Sequence, residues 1–471
     1  MGSLLGRFKR AAVAPAQPQS DGLSKSTTTE KSLFPAIAIA AVTLALGYIL
    51  FRPVSNVMIL YPVFVGLGGI AAISLIKRRP PIANELIAIA FLVLGLGFYG
   101  TLIGLDNPGL VFTIQVYFAA PALFLLCAFA ATFQGLQWFF RIAAVATIAI
   151  SLVMVSFVAG EAGYIPQIFP EALEESLGLG ATFSGGASQA RFYGLSSLAA
   201  LGPLWAGSLL VKRDALLPHW SIRLVCALGA TTAAFISSRS AIVLVIVLAP
   251  VLTLGVRAIL RSRPFRPEKY AGLVLAAGGV VAAAASAGLI FLGPTLFSFG
   301  PVARALASVS SFFGARGSDS AADQSIRSDQ AFHLLSAWTT NPIFGSGFGA
   351  RVPDYDRTSE RPWVLELQYH VFLYNVGLIG LLFAAAIAIC AFIFLRRAAR
   401  LNPLLLSTIT VSTVAALAML IANATNPYLQ APGHFWALFL PLAVAQVISK
   451  SASTEARSRD ERASFGIPSS Q

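Results

Sequence analysis

The chain has 471 residues, 56% of them hydrophobic and only 11% charged, with a net charge of +13 and a mean hydropathy of +0.76. Soluble domains carry about 25% charged and about 45–50% apolar residues, so a water-soluble globule is excluded. One core cannot hide this much apolar surface, whereas lipid solvates it. A β-barrel needs alternating segments of about ten residues, and none is seen.

In a soluble protein a charge of +13 would suggest nucleic acid. Here it reads as the Lys/Arg excess of cytoplasmic loops, and no nucleic-acid partner is expected. The three cysteines, Cys127, Cys226 and Cys390, stand alone in apolar runs. There is no CxxC or Cys/His cluster, so neither a disulfide framework nor a metal site is expected. No cofactor is expected either.

Residues 1–32 are polar and basic and lack an early apolar stretch with a cleavage site. They read as a disordered cytoplasmic tail rather than a signal peptide. A membrane domain follows over residues 33–449. Runs of about 18 or more apolar residues are candidate spans, and the sequence offers twelve. They are Leu33–Phe51, Val57–Ile76, Leu86–Gly104, Leu110–Phe133, Trp138–Gly160, Tyr193–Val211, Ile222–Ser237, Ser240–Leu260, Tyr270–Gly293, Val371–Leu395, Pro403–Ala422 and Phe435–Ser449. The split between the seventh and eighth, at Ser237–Ser240, competes with one long helix. Residues 450–471 read as a second disordered tail.

With twelve spans both termini share a side. That side collects 24 of the 33 Lys and Arg residues and the other side 9, which makes the termini cytoplasmic. Merging the seventh and eighth spans would place Arg396, Arg397 and Arg400 outside. The fold class expected is therefore all-α: a polytopic membrane protein of about twelve transmembrane helices.

Two outer segments stand out: Glu161–Phe192, and residues 294–369, long for a loop. In the second, Ser320-x-x-Asp323 resembles a capping box. Ala331, Leu334, Leu335 and Trp338 then fall at i, i+3, i+4 and i+7, an amphipathic helix stripe. Asn341-Pro342 ends that helix, and Gly345–Gly349 reads as a turn.

The outer arginines are the first candidates for chemistry. Arg191 opens the sixth span, and Arg239 sits between two apolar runs. Ionisable groups at a bilayer are expensive and need a partner or a task, and guanidinium binds phosphate bidentately. Two such arginines suit a diphosphate; the plainer reading is interfacial snorkelling. Six more arginines, including Arg327, lie among acids in the long loop, where most read as solvated surface charge. Glu366 and His370 are i, i+4. A helix there would put them on one face and make a general base held by a carboxylate. Asp354-Tyr-Asp356 matches a DxD motif without the nucleotide-binding domain that such chemistry needs. Asn423-Ala-Thr425 is a sequon by letters only.

In order, several stretches resemble the superfamily of bacterial O-antigen ligases and O-antigen or exopolysaccharide polymerases. Arg191-Phe-Tyr-Gly194 resembles its Arg-x-x-Gly, and Ser238-Arg239 its Ser-Arg at a short outer turn. Arg327 through Trp338, followed by Pro342-Ile-Phe-Gly345-Ser-Gly347, resembles its Arg-led helix and Pro-x-x-Gly-x-Gly. Glu366 stands eleven positions before Gly377-Leu-Ile-Gly380. The ordered set covers residues from about 190 to 445. Ligases of the family have His-Asn where Glu366-Leu367 stands here, and some polymerases have an acid.

The resemblance implies a metal-independent glycosyltransferase of the bacterial cytoplasmic membrane. Its donor would be a polyprenyl-diphosphate-linked oligosaccharide and its acceptor a glycan hydroxyl. Arg191, Arg239 and Arg327 would bind diphosphate, and Glu366 or His370 would be catalytic. The lipid bilayer is a partner, with other polysaccharide-export proteins as further candidates. A polymerase is the reading that Glu366 favours. A ligase acting on a lipid, protein or wall acceptor, and a transporter or flippase, stay open. Against transport, few ionisable residues lie at mid-membrane, where coupling sites sit.

Overall fold

A computed structural model describes residues 33–53, 57–161, 163–184, 187–237, 239–261, 318–424 and 426–464. Helices α1 (Leu33–Phe51), α2 (Val57–Arg78) and α3 (Asn84–Ile103) are followed by a fourth apolar segment. This comprises α4 (Leu110–Ile114), a π-turn at Gln115–Ala119 and α5 (Ala120–Ala130). Then come α6 (Phe133–Glu161), the short α7 (Glu171–Leu177) and an antiparallel hairpin of β1 (Gly180–Ser184) and β2 (Ala187–Arg191). A 3-10 turn at Tyr193–Ser197 leads into α8 (Leu198–Ser208), α9 (Trp220–Ile236) and α10 (Ser240–Leu260). The remainder is α11 (Ser318–Trp338), α12 (Gln368–Leu401), α13 (Leu406–Asn423) and α14 (Trp436–Ser464).

Among the described residues, eight helices are long and apolar enough to cross a membrane. Eleven of the twelve predicted segments coincide with helices, but the count of twelve is not established. The sixth is divided into a 3-10 turn and the eleven-residue α8. The seventh is a helix of 17 residues. The ninth, Tyr270–Gly293, lies outside the described residues. The contested boundary at Ser237–Ser240 is a real break: α9 ends at Ile236 and α10 starts at Ser240. At the C-terminus α14 runs to Ser464, past residue 450, where a disordered tail was expected. The Ala-, Glu- and Arg-rich sequence there has high helix propensity, which charge content alone does not reveal.

The connections sort into two ends. At one, Gln446 donates to Pro81 O and accepts from Ala83 N, Lys450 donates to Phe129 O and Ala131 O, and Arg397 meets Glu85. Also at this end, Asp214 accepts from the backbone and hydroxyl of Thr408. At the other end, Asn107 donates to Ser346 O and Phe348 O. Gln430 there donates to Leu365 O, and His434 meets Ser196. The helices at the centre are α13 and α14, with 61% and 67% of their apolar windows buried, against 17% for α2.

Helix α12 is broken. Gly377 has φ 58° and ψ −160°, a region essentially confined to glycine. A break within lipid leaves backbone groups that need partners, and the turn after α11 supplies them. Ser346 N and Gly347 N donate to the carbonyls of Tyr374 and Asn375, while Leu378 N and Ile379 N donate to those of Pro342 and Ile343. Gly345 and Gly347 also have positive φ, and a Cβ on either would meet backbone at 2.5 and 2.3 Å. The Pro-x-x-Gly-x-Gly stretch is thus a plug for the broken helix.

Candidate functional site

The end that carries the plug also gathers the arginines. Arg191 is exposed at the last position of β2. Arg239 occupies the turn between α9 and α10, where its backbone N–H bonds Ala234 O. The charge of Arg191 is felt at Arg239. Burial lowers the Arg239 pKa; nearby Tyr428 opposes the shift and the charge of Arg191 adds to it. Burial in turn pushes the Tyr428 phenol up to about 12, against the pull of Arg239. Among the described residues, no carboxylate pairs with Arg191 or Arg239.

Arg52, at the end of α1, joins this group by stacking over the Tyr193 ring at 5.3 Å from its centroid. Gly194 is required here, because a Cβ would lie 2.4 Å from Phe51 O. Below Arg52 an apolar groove of about 1000 Å³ opens between α1, α2 and α6, with Tyr48, Phe51, Pro62, Leu67, Trp138 and Ile142 among its walls.

The connection between α13 and α14 holds the next layer. His434 is fully buried. Its Nδ1 lies 2.6 Å from Tyr428 O and its Nε2 3.0 Å from Ser196 Oγ. A carbonyl only accepts, so Nδ1 carries the proton and a neutral ring accepts the Ser196 hydroxyl at Nε2. His434 therefore ties the Tyr428 segment to the turn after Arg191. Gln430 Nε2 donates to Leu365 O at 2.6 Å, which brings the same segment against Glu366.

Glu366 is held by two arginines. Arg327 Nε lies 3.3 Å from Oε2, and Arg357 Nη2 lies 2.6 Å from Oε1. Burial alone would raise the Glu366 pKa. The bond and charge of Arg357, then those of Arg327, outweigh it and hold the carboxyl below its ordinary value. The backbone N–H groups of Glu366 and Leu367 both donate to the buried Gln330 Oε1 at 3.1 Å. Arg327 and Gln330 are i, i+3 on α11, so one face of that helix grips one segment.

The predicted stripe of α11 is displaced accordingly. Leu334 is fully buried and Trp338 half-buried, but Leu335 is 40% exposed while Gln330 is buried. The docking face is partly polar, and apolar periodicity cannot register that. The side chains of Ser320 and Asp323 lie outside the described residues.

Glu366 and His370 do not share a helical face. Helix α12 begins at Gln368, so Glu366 stands before it in a bend, with His370 half-buried in the first turn. Gln368 accepts from the Tyr117 hydroxyl, and Tyr117 lies in the π-turn. Such turns often mark functional places in helices. Sequence reasoning missed Arg357, Gln330, Tyr428 and His434. Arg357 was visible only as one loop arginine among six.

Of the five residues singled out, the structure therefore brings Arg191 within electrostatic reach of Arg239 and Arg327 against Glu366, with His370 in the first turn of the helix that follows. Among the described residues no group of three or more His, Cys, Asp or Glu could hold a metal. The arrangement can bind a polyanion at fixed guanidinium groups and offers a carboxylate and an imidazole near them. No protein-family model matches this chain, and no curated protein matches it.

Proposed function

We propose that this chain is a glycosyltransferase of the bacterial cytoplasmic membrane that polymerises glycans carried on a polyprenyl diphosphate. The observation that carries the reading is that Arg239, half-buried in the turn between α9 and α10, lies within electrostatic reach of Arg191, with no carboxylate paired to either among the described residues. A diphosphate supplies the missing negative charge. The groove under Arg52 suits a long apolar chain lying in the bilayer. The order of motifs from Arg191 to Gly380, which resembles that of O-antigen polymerases and ligases, points the same way.

In this scheme the acceptor hydroxyl attacks the anomeric carbon of the donor sugar. The carbon–oxygen bond to phosphate breaks, and its electron pair leaves with the diphosphate. Fixed guanidinium charges stabilise that developing anion without reorganisation. The hydroxyl proton passes to Glu366 or His370. Attack opposite the leaving group inverts the anomeric centre. At rest Glu366 is a poor base, because two arginines hold its pKa down. A diphosphate that draws Arg327 and Arg357 towards itself leaves the carboxylate beside new negative charge, which raises its pKa. Donor binding thereby arms the base.

The test uses purified protein and undecaprenyl-diphosphate repeat units. Growth of chain length on the carrier is the expected result, with both termini of the protein cytoplasmic and the product outside. Transfer of finished glycan to a separate acceptor, without growth, would make the chain a ligase. Movement of the labelled donor across proteoliposomes without chemical change would make it a transporter.

A further inference from the structure

The end of the bundle opposite the arginine cluster carries a second cationic feature, independent of the proposed reaction. A cavity of about 220 Å³ lies where α2, the α5–α6 junction and α14 meet. Arg78, Lys450, Ser74, Thr132 and Ser451 contribute its polar walls, and among the described residues no acid lines it. A water's share of liquid volume is about 30 Å³, so the cavity has room for a phosphate group with bridging water.

The walls are built rather than incidental. Lys450 Nζ donates to Phe129 O at 2.8 Å and to Ala131 O at 3.0 Å, which fixes the ammonium at the end of α5. One turn earlier on α14, Gln446 Nε2 donates to Pro81 O at 2.9 Å and its Oε1 accepts from Ala83 N. The chain between α2 and α3 is therefore pinned beside the cavity. Arg79 turns that chain with φ 40°, a left-handed conformation in a residue with a Cβ. Such strain persists only where surroundings impose it, and it gathers at binding places.

Arg78 ends α2 and is exposed on the cavity wall, within reach of the Lys450 charge. Thr132 Oγ1 accepts from Gly135 N at the start of α6, so the first turn of a 29-residue helix also faces this corner. First-turn amides favour anions. Arg78, exposed on a wall with hydroxyls and a helix start and with no carboxylate among its described residues, suits an anion from outside. The place is the boundary of the apolar segments, where basic pockets between membrane helices take lipid head groups.

We propose that this cavity binds a phosphate group, with Arg78 as its principal ligand and Lys450 as the fixed countercharge. The phosphate of an anionic phospholipid and a soluble phosphate share this chemistry. The experiment separates them using full-length protein in a mild detergent. Thermal midpoint and native mass spectra are recorded with dioleoyl phosphatidylglycerol, dioleoyl phosphatidylcholine or inorganic phosphate added.

Phosphatidylglycerol should raise the midpoint and give one retained lipid where phosphatidylcholine does not. Arg78→Gln should weaken this retention about tenfold. Lys77→Gln and Arg79→Gln remove the same charge next door from residues off the cavity wall, and should stay within twofold of wild type. An Arg78-dependent response to inorganic phosphate alone would keep the site and make its ligand soluble. Equal retention of the two lipids, or equal loss in all three variants, would overturn the proposal. Arg78 is exposed at a helix end, so its replacement leaves the fold intact. Lys450→Gln, which also uncaps α5, serves only as a second reading of the same loss.

Discussion

Two pairs of arginines stand at the same end of the bundle, and they are arranged in opposite ways. Arg191 and Arg239 have no carboxylate partner among the described residues, and Arg239 is held where burial already disfavours its charge. Arg327 and Arg357 share one carboxylate, Glu366, with both of its oxygens engaged. A charge that is costly to place and is left without a partner is poised for an outside anion. A pair that carries its own anion is closed at rest. On the proposed reading the difference separates a seat from a latch: the first pair would take an outside anion, and the second would hold its carboxylate until something displaces it.

The largest effect is expected where the frame beneath both is broken. Gly377→Ala would put a Cβ 2.4 Å from Ile343 O on a backbone that only glycine adopts readily. Strain of about 1–3 kcal/mol adds to the loss of the plug's hydrogen bonds to Tyr374, Asn375, Leu378 and Ile379. The purified variant should show a thermal midpoint lower by many degrees, or fail to accumulate. Gly66→Ala is the comparison, because nothing lies within 4 Å of its added Cβ. A midpoint for Gly377→Ala equal to that of Gly66→Ala would mean that the plug does not hold the helix.

The seat comes next. Replacing either Arg191 or Arg239 by Ala should cut glycan extension by about 10²–10³, the usual loss for one donor to a developing anion. Arg239→Lys should recover only part of it, since an ammonium lacks the planar fork. Chain-length distributions from lipid-linked donor measure this. Near-wild-type turnover in both Ala variants would remove the seat and leave the latch to explain the chemistry.

Much of this architecture could be read from residue types. Long apolar runs marked the helices, eight of which are long and apolar enough to cross a membrane among the described residues. Arg191 and Arg239 stood out because charge beside apolar sequence is conspicuous, Arg327 and Glu366 because their stretches resemble family motifs. What was not legible is who pairs with whom. Arg357 has the composition of its neighbours and acquires meaning only because the loop folds back by nine residues onto Glu366. The i, i+4 spacing of Glu366 and His370 suggested a shared face, yet helix α12 starts between them. Periodicity also misaligned α11, since a face that docks through Arg327 and Gln330 leaves no apolar trace. Short α8 and α9 fell below membrane length for a related reason: turns at their ends use apolar residues too.

The latch should respond to acid. The Glu366 carboxyl sits below its ordinary value of about 4.3 when folded. Its pairing is therefore complete at neutral pH and is lost only as pH falls through the depressed value. Protection of the α11 amides, taken against the intrinsic exchange rate at each pH, should hold at neutral pH and fall only as pH drops through the depressed value of Glu366. Glu366→Gln should exchange faster throughout and show no such acid step. The partners are each about one-third exposed, so screening limits the loss of docking to about 1 kcal/mol. Wild-type protection with no acid step would mean that the Glu366 carboxylate does not hold α11.

The finest distinction lies within the long loop itself. Arg351 and Arg357 are six residues apart and carry the same charge. Arg351 forks onto Asp356 at the surface, with its side chain 58% exposed. Arg357 reaches inward to Glu366. If net positive charge near the site were all that mattered, Arg351→Ala and Arg357→Ala would weaken donor binding equally. In a latch that exchanges its carboxylate for phosphate, Arg357, unlike Arg351, touches the exchanging group. Arg357→Ala should then raise the donor KM about five- to tenfold, while Arg351→Ala leaves it unchanged at 150 mM salt. Raising ionic strength shrinks long-range attraction over about a Debye length of 8 Å, so a general charge effect would fade with salt in both variants. A deficit that persists at high salt in Arg357→Ala alone belongs to a contact made at the phosphate, because a held guanidinium acts at bonding distance and is not screened away.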